Sequence, residues 1–287
     1  MRQSVLARTL RALAIVALVC WSLGPIVIGL ITSLSSQSDI QAVPARWLPK
    51  DANLDAYRSL LSGTGANSRA GGTVTESGTF ARAMINSATI TFMSTIAVLA
   101  VSIMCAYAFT RLRFRMSSVV FWGVVSTMIV PVFAVVVTLF RLMADAHLID
   151  TKIGLVAVFI ATLTPLATWL FHNHIRDMPG EPEEAALIDG CTRWQAFTRV
   201  VVPQMRSGIA AVSAILMLAV WGEFLIPLLL SSTRNAKPVT VVITEFIGKY
   251  STNYPLLAAA GMLALLPPAI VALALNRHIR GMLSGAT

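Results

Sequence analysis

Six long windows of this sequence are almost free of charge: residues 12–38, 83–110, 116–140, 153–175, 207–233 and 250–276, the fifth interrupted only by Glu223. A helix of about 20 apolar residues crosses the hydrocarbon core of a bilayer. Each window therefore predicts one span, and the chain is expected to be an all-α integral membrane protein with six transmembrane helices. The expected spans are 12–34, 83–110, 116–140, 153–175, 207–230 and 255–276. They are joined by a terminus over 1–11, loops over 35–82, 176–206 and 231–254, and a tail over 277–287.

Composition agrees with that pattern. Only 12% of residues are charged and 56% are hydrophobic, against about 25% charged in soluble domains. A soluble enzyme, a disordered tail and a disulfide scaffold are excluded. The net charge of +9 is explained by basic loops beside apolar runs, without the aromatic-interleaved basic patch that nucleic acid requires. Cys20 and Cys105 lie in apolar runs and Cys191 in a polar loop, with no CxxC spacing, so neither a disulfide framework nor a metal site is indicated. The first window follows Arg2, Arg8 and Arg11, but its apolar part exceeds the h-region of about 7–15 residues in a secretory signal. It is expected to be a retained first helix.

With the N-terminus inside, twelve of the 22 basic residues fall on cytoplasmic segments. They include the Arg111, Arg113, Arg115 cluster and both termini, which favours both ends cytoplasmic. Prolines at 25, 131, 165, 227, 267 and 268 each remove a backbone donor within a window and can bend its helix.

The segment from Met178 to Pro203 is dense in local signals. Pro182 suits a first helical turn, Glu183 and Glu184 place negative charge at the positive end of the helix dipole, and Gly190 suits a C-terminal stop. These predict a short helix over 182–189. Thr192 and Gln195 then form a capping box, opening a second helix that Pro203 ends or kinks. Trp194, Phe197 and Val201 share one face of it. The result is a compact knob projecting from the membrane.

Glu184-Ala185-Ala186, three residues, Gly190, nine residues, then Val200-Val201-Val202-Pro203 resembles the EAA motif of ABC-importer permeases. The likeness extends over nearly the whole chain to the carbohydrate subgroup, in particular the smaller maltose-type permease with six spans. The segments that carry it are Ala45-Arg-Trp-Leu-Pro49, Asn53 to Tyr57, Phe80 to Ser87, Ala106 to Phe114, Trp221-Gly-Glu-Phe-Leu-Ile-Pro227 and Arg280 to Ala286. Gly222 departs from the family's asparagine, and the Gly/Ser/Thr-rich run from Ser62 to Thr79 lengthens the first external loop.

The resemblance implies a type I ABC-importer permease fold, with a transmembrane domain over about 80–280, in a bacterial inner membrane. It implies that the EAA loop is a coupling helix docking on a cytoplasmic ATPase, with Glu183, Glu184, Ala185, Ala186, Leu187, Asp189, Gly190, Trp194 and Pro203 as the coupling residues. It further implies a translocation path near Asn86, Ser87, Trp221, Gly222, Glu223 and Phe224, and a loop at Gly248, Lys249 and Tyr250 that reaches toward a solute-binding protein. The partners would be a second, homologous permease, two ATPase subunits and an external solute-binding protein. No phosphate-binding loop occurs, since Gly248-Lys249 precedes Tyr250, so ATP and magnesium would belong to the ATPase and this chain would bind no cofactor and catalyse no reaction.

Glu223, a charge within an apolar window, is expected to face the bundle or an interface, because exposing it to lipid costs about 2.5–3.5 kcal/mol. His172 and His174 are two residues apart, splayed on a helix and unable to share a metal. A sugar is the subgroup's substrate class. A polyamine or glycerophosphodiester importer and an ATP-independent secondary transporter stay open as alternatives.

Overall fold

The structure is a computed structural model that describes residues 5–44, 48–62, 79–112, 114–247 and 252–284. In chain order the helices are α1 (Val5–Leu34), α2 (Gln37–Ile40), α3 (Asp55–Ser62), α4 (Thr79–Arg111), α5 (Ser117–Ser126), α6 (Val132–Asp145), α7 (Lys152–Arg176), α8 (Glu181–Ile188), α9 (Arg193–Ala196), α10 (Val202–Gln204), α11 (Arg206–Gly222), α12 (Leu225–Leu230), α13 (Val239–Glu245) and α14 (Tyr254–Ser284). Among the described residues, four stretches are long and apolar enough to cross a bilayer alone: Ala7–Leu34, Thr79–Arg111, Lys152–Arg176 and Tyr254–Ala274. Two bent pairs, Ser117–Ile129 with Phe133–Asp145 and Arg193–Gln204 with Arg206–Gly222, bring the number to six if each pair is one span.

The chain forms two compact units, residues 1–82 with 242–266, and residues 83–241 with 267–287. In the first, α1 and α3 are tied by the Tyr57 and Ser33 hydroxyls 2.7 Å apart and by the Asn53 N–H donating to the Leu34 carbonyl. Gln37 bonds the start of α14 twice, its amide donating to the Thr252 carbonyl and accepting from the Tyr254 N–H. Along α1 the apolar side chains, Trp21 at 84% exposure among them, face outward, as a lipid-facing helix requires.

The second unit holds two apolar clusters. One packs Val98 and Tyr107 of α4 against Phe171 and Ile175 of α7, with Phe197, Met205 and Leu216. The other packs Leu155 and Phe159 of α7 against Val220 of α11 and Ile226 and Leu230 of α12. Helices α7 and α11 approach closely at Gly208, where an added Cβ would lie 2.6 Å from the His174 ring, so a larger residue requires the imidazole or the helix to shift.

Two expected spans are broken rather than continuous. Window 116–140 contains α5, a 3-10 turn at Thr127–Ile129, and α6, with a bend of 101° between its two halves. Pro131 lacks an N–H and biases its predecessor to extended backbone. Val130 (φ −71°, ψ 116°) and Pro131 (φ −67°, ψ 134°) are accordingly two extended residues in a row. Window 207–230 is divided at Glu223, which is extended (ψ 131°) between α11 and α12.

Candidate coupling knob and its anchor

Helix α8 starts with Pro182 in its first turn and three glutamates, Glu181, Glu183 and Glu184, beside the exposed N–H groups. This favours initiation, because proline loses no needed bond there and carboxylates complement the dipole. It ends in a Schellman turn: the Gly190 N–H donates to the Leu187 carbonyl and the Cys191 N–H to the Ala186 carbonyl. Gly190 has φ +88°, a left-handed conformation that glycine adopts without a Cβ penalty. The capping box then forms in full, Gln195 N–H to the Thr192 hydroxyl and Thr192 N–H to the Gln195 side chain.

The chain next passes through a π-helical turn, Phe197–Val201, and bends by 74° between Arg193–Gln204 and Arg206–Gly222. Pro203 cannot donate to a carbonyl four residues back, and a π turn is one local adjustment that re-satisfies backbone groups freed in this way. Of the two outcomes expected at Pro203, an end or a kink, the structure shows the kink. The helix bends at Met205, whose side chain is fully buried.

Of the residues expected in coupling, Glu184, Ala185, Asp189, Gly190 and Trp194 are exposed, Ala186, Leu187 and Pro203 half-buried, and Glu183 buried. Trp194 is 63% exposed while Phe197 and Val201 are buried, so the shared face expected for these three is split between surface and core. The Trp194 ring still lies 5.4 Å from Phe197, which in turn sits 4.7 Å from Tyr107 of α4. Glu184 lines a polar recess with Thr110, Arg111, Leu112 and Arg193.

Glu183 points inward. Its Oε1 accepts a 2.6 Å hydrogen bond from the Tyr107 hydroxyl, and its Oε2 lies 3.3 Å from the Arg111 Nε. That contact is an ion pair without hydrogen-bond alignment, since the Nε has no hydrogen-bonded partner. The Arg111 Nη2 also donates to the Met178 carbonyl at 3.1 Å and the Ile175 carbonyl at 3.4 Å, placing a cation at the negative C-terminal end of α7. No local sequence signal marks Tyr107 and Arg111 as partners of the loop. Their separation of one helical turn on α4 puts them on one face, but nothing local pairs them with a glutamate 76 residues away.

The residues expected along a translocation path are placed as follows. The buried Asn86 amide donates to the Arg234 and Lys237 carbonyls at 2.9 and 3.1 Å, and the Ser87 hydroxyl accepts from the Val239 N–H at 2.8 Å. Both secure the 234–239 segment. Glu223 caps α12, its Oε1 accepting from the Leu225 and Ile226 N–H groups at 3.0 and 3.3 Å, so a carboxylate in an apolar window is balanced by the free donors of a helix start. Gly222 and Phe224 are exposed on either side of it. Trp221 lines an apolar groove of about 520 Å³ with Phe92, Met93, Met217, Pro267 and Pro268. Gly248, Lys249 and Tyr250 lie outside the described residues, as do Arg113 and most of the Ser62 to Thr79 run. His172 stacks on Phe121 at 4.1 Å while His174 packs at Gly208, so the two point to different neighbours.

The family described as binding-protein-dependent transport system inner membrane component matches residues 98–281, which includes the whole knob and its anchor. The chain belongs to this family of ABC-importer permeases. It is a membrane transport subunit, not an enzyme. It is 29% identical over 205 residues to the diacetylchitobiose uptake system permease of Streptomyces coelicolor, covering 71% of this chain and 68% of that one. It is 32% identical to the lactose transport system permease of Rhizobium radiobacter over 69% of this chain and 72% of that one. Over 89% of both chains it is 28% identical to the trehalose transport system permease of Mycobacterium tuberculosis. Its fold is similar to that of a bacterial ABC transporter involved in import of the acidic polysaccharide alginate, with TM-score 0.81, 19% identity and coverage of 96% and 99%.

Proposed function

We propose that this chain is a permease subunit of an ATP-driven, binding-protein-dependent importer for a sugar or sugar derivative. It forms half of a translocation path and receives the ATPase stroke through α8. The observation that carries the coupling role is the build of the knob: a rigidly capped short helix that buries one carboxylate against α4 and leaves Glu184, Ala185, Ile188 and Asp189 exposed. Such a surface fits a protein partner better than an anionic leaflet, which its acidic side chains oppose. The relatives named for diacetylchitobiose, lactose and trehalose uptake support a sugar as substrate class.

In this reading both termini and the knob are cytoplasmic, in a bacterial inner membrane. The partners are a second permease, two ATPase subunits that hold ATP and magnesium, and an external solute-binding protein, toward which the 231–254 loop reaches. The breaks at Val130-Pro131 and at Glu223 place irregular backbone where a bundle interior or a cavity must cover it. Closure of the ATPases shifts the balance of inward- and outward-facing states by acting on α8. The path residues proposed to act directly are Trp221, Gly222, Glu223 and Phe224, with Asn86 and Ser87 holding the 234–239 segment.

The test is reconstitution of the complex in proteoliposomes with its ATPase and binding protein. Glu184→Lys and Gly190→Pro chains are expected to insert normally yet lose ATPase association and at least tenfold of substrate-stimulated hydrolysis. Uptake by the unmutated chain without any ATPase would instead establish a secondary transporter.

A further inference from the structure

Three elements meet at one buried carboxylate. Glu183 belongs to α8, Tyr107 and Arg111 to the end of α4, and the Met178 and Ile175 carbonyls held by Arg111 to the end of α7. The Glu183 side chain is 8% exposed, so it is not available to a docking protein, although its neighbour Glu184 is. The two adjacent glutamates therefore do different things. We propose that Glu183, Tyr107 and Arg111 form a transmission joint that makes α8 move as one body with the ends of α4 and α7, so that a push on the exposed face of α8 is delivered to two transmembrane helices. The proposal rests on the coupling reading of α8 given above and assigns the positioning residues by which it acts.

The chemistry of the contact suits a joint better than a simple packing contact. An apolar contact has no preferred direction, whereas a buried carboxylate fixed by one directional hydrogen bond and one cation has few alternative partners. Separation would leave the buried Glu183 carboxylate without its cation and its hydroxyl donor, which is costly. A second link runs in parallel, since the Phe197 ring beyond α9 packs against Tyr107 with ring centres 4.7 Å apart and planes tilted by 47°. The knob is thus held to α4 at both of its helices, by charge at α8 and by aromatic contact after α9.

The experiment uses the full complex in proteoliposomes with four permease chains: unmutated, Glu183→Gln, Tyr107→Phe and Glu184→Lys. Glu183→Gln keeps the size and an acceptor oxygen and removes the charge, while Tyr107→Phe removes only the hydroxyl. Both are expected to retain ATPase association within twofold and basal hydrolysis within twofold, yet to lose five- to tenfold of binding-protein-stimulated hydrolysis and to transport less substrate per ATP. A merely structural role would lower association, basal and stimulated rates together, and that result overturns the proposal, as does wild-type stimulation in both variants.

Spin labels at Ile188 and Met104, both exposed, supply the second reading. In the unmutated chain their distance is expected to stay constant between ATP-bound and nucleotide-free states, and in Glu183→Gln to change with nucleotide. A distance that varies in the unmutated chain overturns the joint even if coupling is intact. Failure of the importer reading itself is separate and shows in the unmutated complex, as absence of ATPase association or of stimulated hydrolysis.

Discussion

The two ends of α7 are each fastened by a carboxylate, and they are fastened differently. At the C-terminal end, Glu183 is buried and meets side chains: the Tyr107 hydroxyl and the Arg111 guanidinium. At the N-terminal end, Asp150 is half-buried and meets backbone, its Oδ1 accepting from the Ser232 and Thr233 N–H groups at 2.9 Å each and its Oδ2 from the Thr233 hydroxyl. The Asp150 N–H in turn donates to the Leu230 carbonyl at 2.7 Å. One carboxylate unites three helices through charge. The other holds the turn after α12 through peptide dipoles, and needs no cation in contact to do so. The first arrangement can carry force between helices, while the second sets the course of a loop.

The comparison breaks most visibly at Glu183. Truncation to alanine removes the acceptor of the Tyr107 hydroxyl and the counter-ion of Arg111, which keeps its bonds to the Met178 and Ile175 carbonyls, and leaving a buried polar group without its partner costs about 1–3 kcal/mol. Glu183→Ala is therefore expected to lower the melting temperature of the purified chain in detergent by several degrees, the largest effect among the substitutions considered. The paired change of Glu183 and Arg111 to leucine should recover much of that loss while leaving coupling defective. If the pair of leucines also restores coupling, charge at the joint has no transmitting role.

At Asp150 the expected loss is smaller. Asn tolerates the left-handed backbone found there, φ +58°, so Asp150→Asn isolates the charge and weakens two or three charge-assisted hydrogen bonds, on the order of 1–2 kcal/mol. Burial alone would raise the Asp150 pKa. The Thr233 hydroxyl, the Thr233 and Ser232 N–H groups and the charge of Lys237 outweigh it and lower the pKa below the ordinary 3.8. A depressed folded-state value means stability that is complete above 3.8 and lost as pH falls through the lowered value. Melting of the unmutated chain is expected to drop more steeply below pH 4 than that of Asp150→Asn, and equal slopes would remove Asp150 from the account.

These two carboxylates also mark what could and could not be read in advance. The start of α8, its glycine stop and the capping box at Thr192 and Gln195 are local signals spanning a few residues, and the structure forms each of them. The anchor was invisible because Glu183 and Tyr107 are 76 residues apart, and a glutamate in a helix's first turn is explained equally well by the dipole. Glu223 was legible as a charge that lipid could not host. Its service as a cap for α12 depends on a chain break that the apolar residues on both sides of it concealed. Pro131 signalled a bend, but the 101° between the halves of that window follows from two extended residues in a row, and the residue before a proline shows only a bias toward that conformation.

The smallest effect tests whether α8 is held by its ends or by its anchor. Gly190 lies at φ +88° with open space around the position of a Cβ, so Gly190→Ala carries only the backbone cost of a left-handed alanine, about 1 kcal/mol, with no clash added. Gly190→Asn should cost less, since asparagine adopts that region more readily. If the Glu183 joint dominates, Gly190→Ala shifts melting by less than Asp150→Asn and leaves stimulated ATP hydrolysis within about twofold of the unmutated complex. A coupling loss as deep as that of Glu183→Gln would mean that the Schellman turn, not the buried carboxylate, sets the pose of α8, and the contrast between the two ends of α7 would then lose its mechanical meaning.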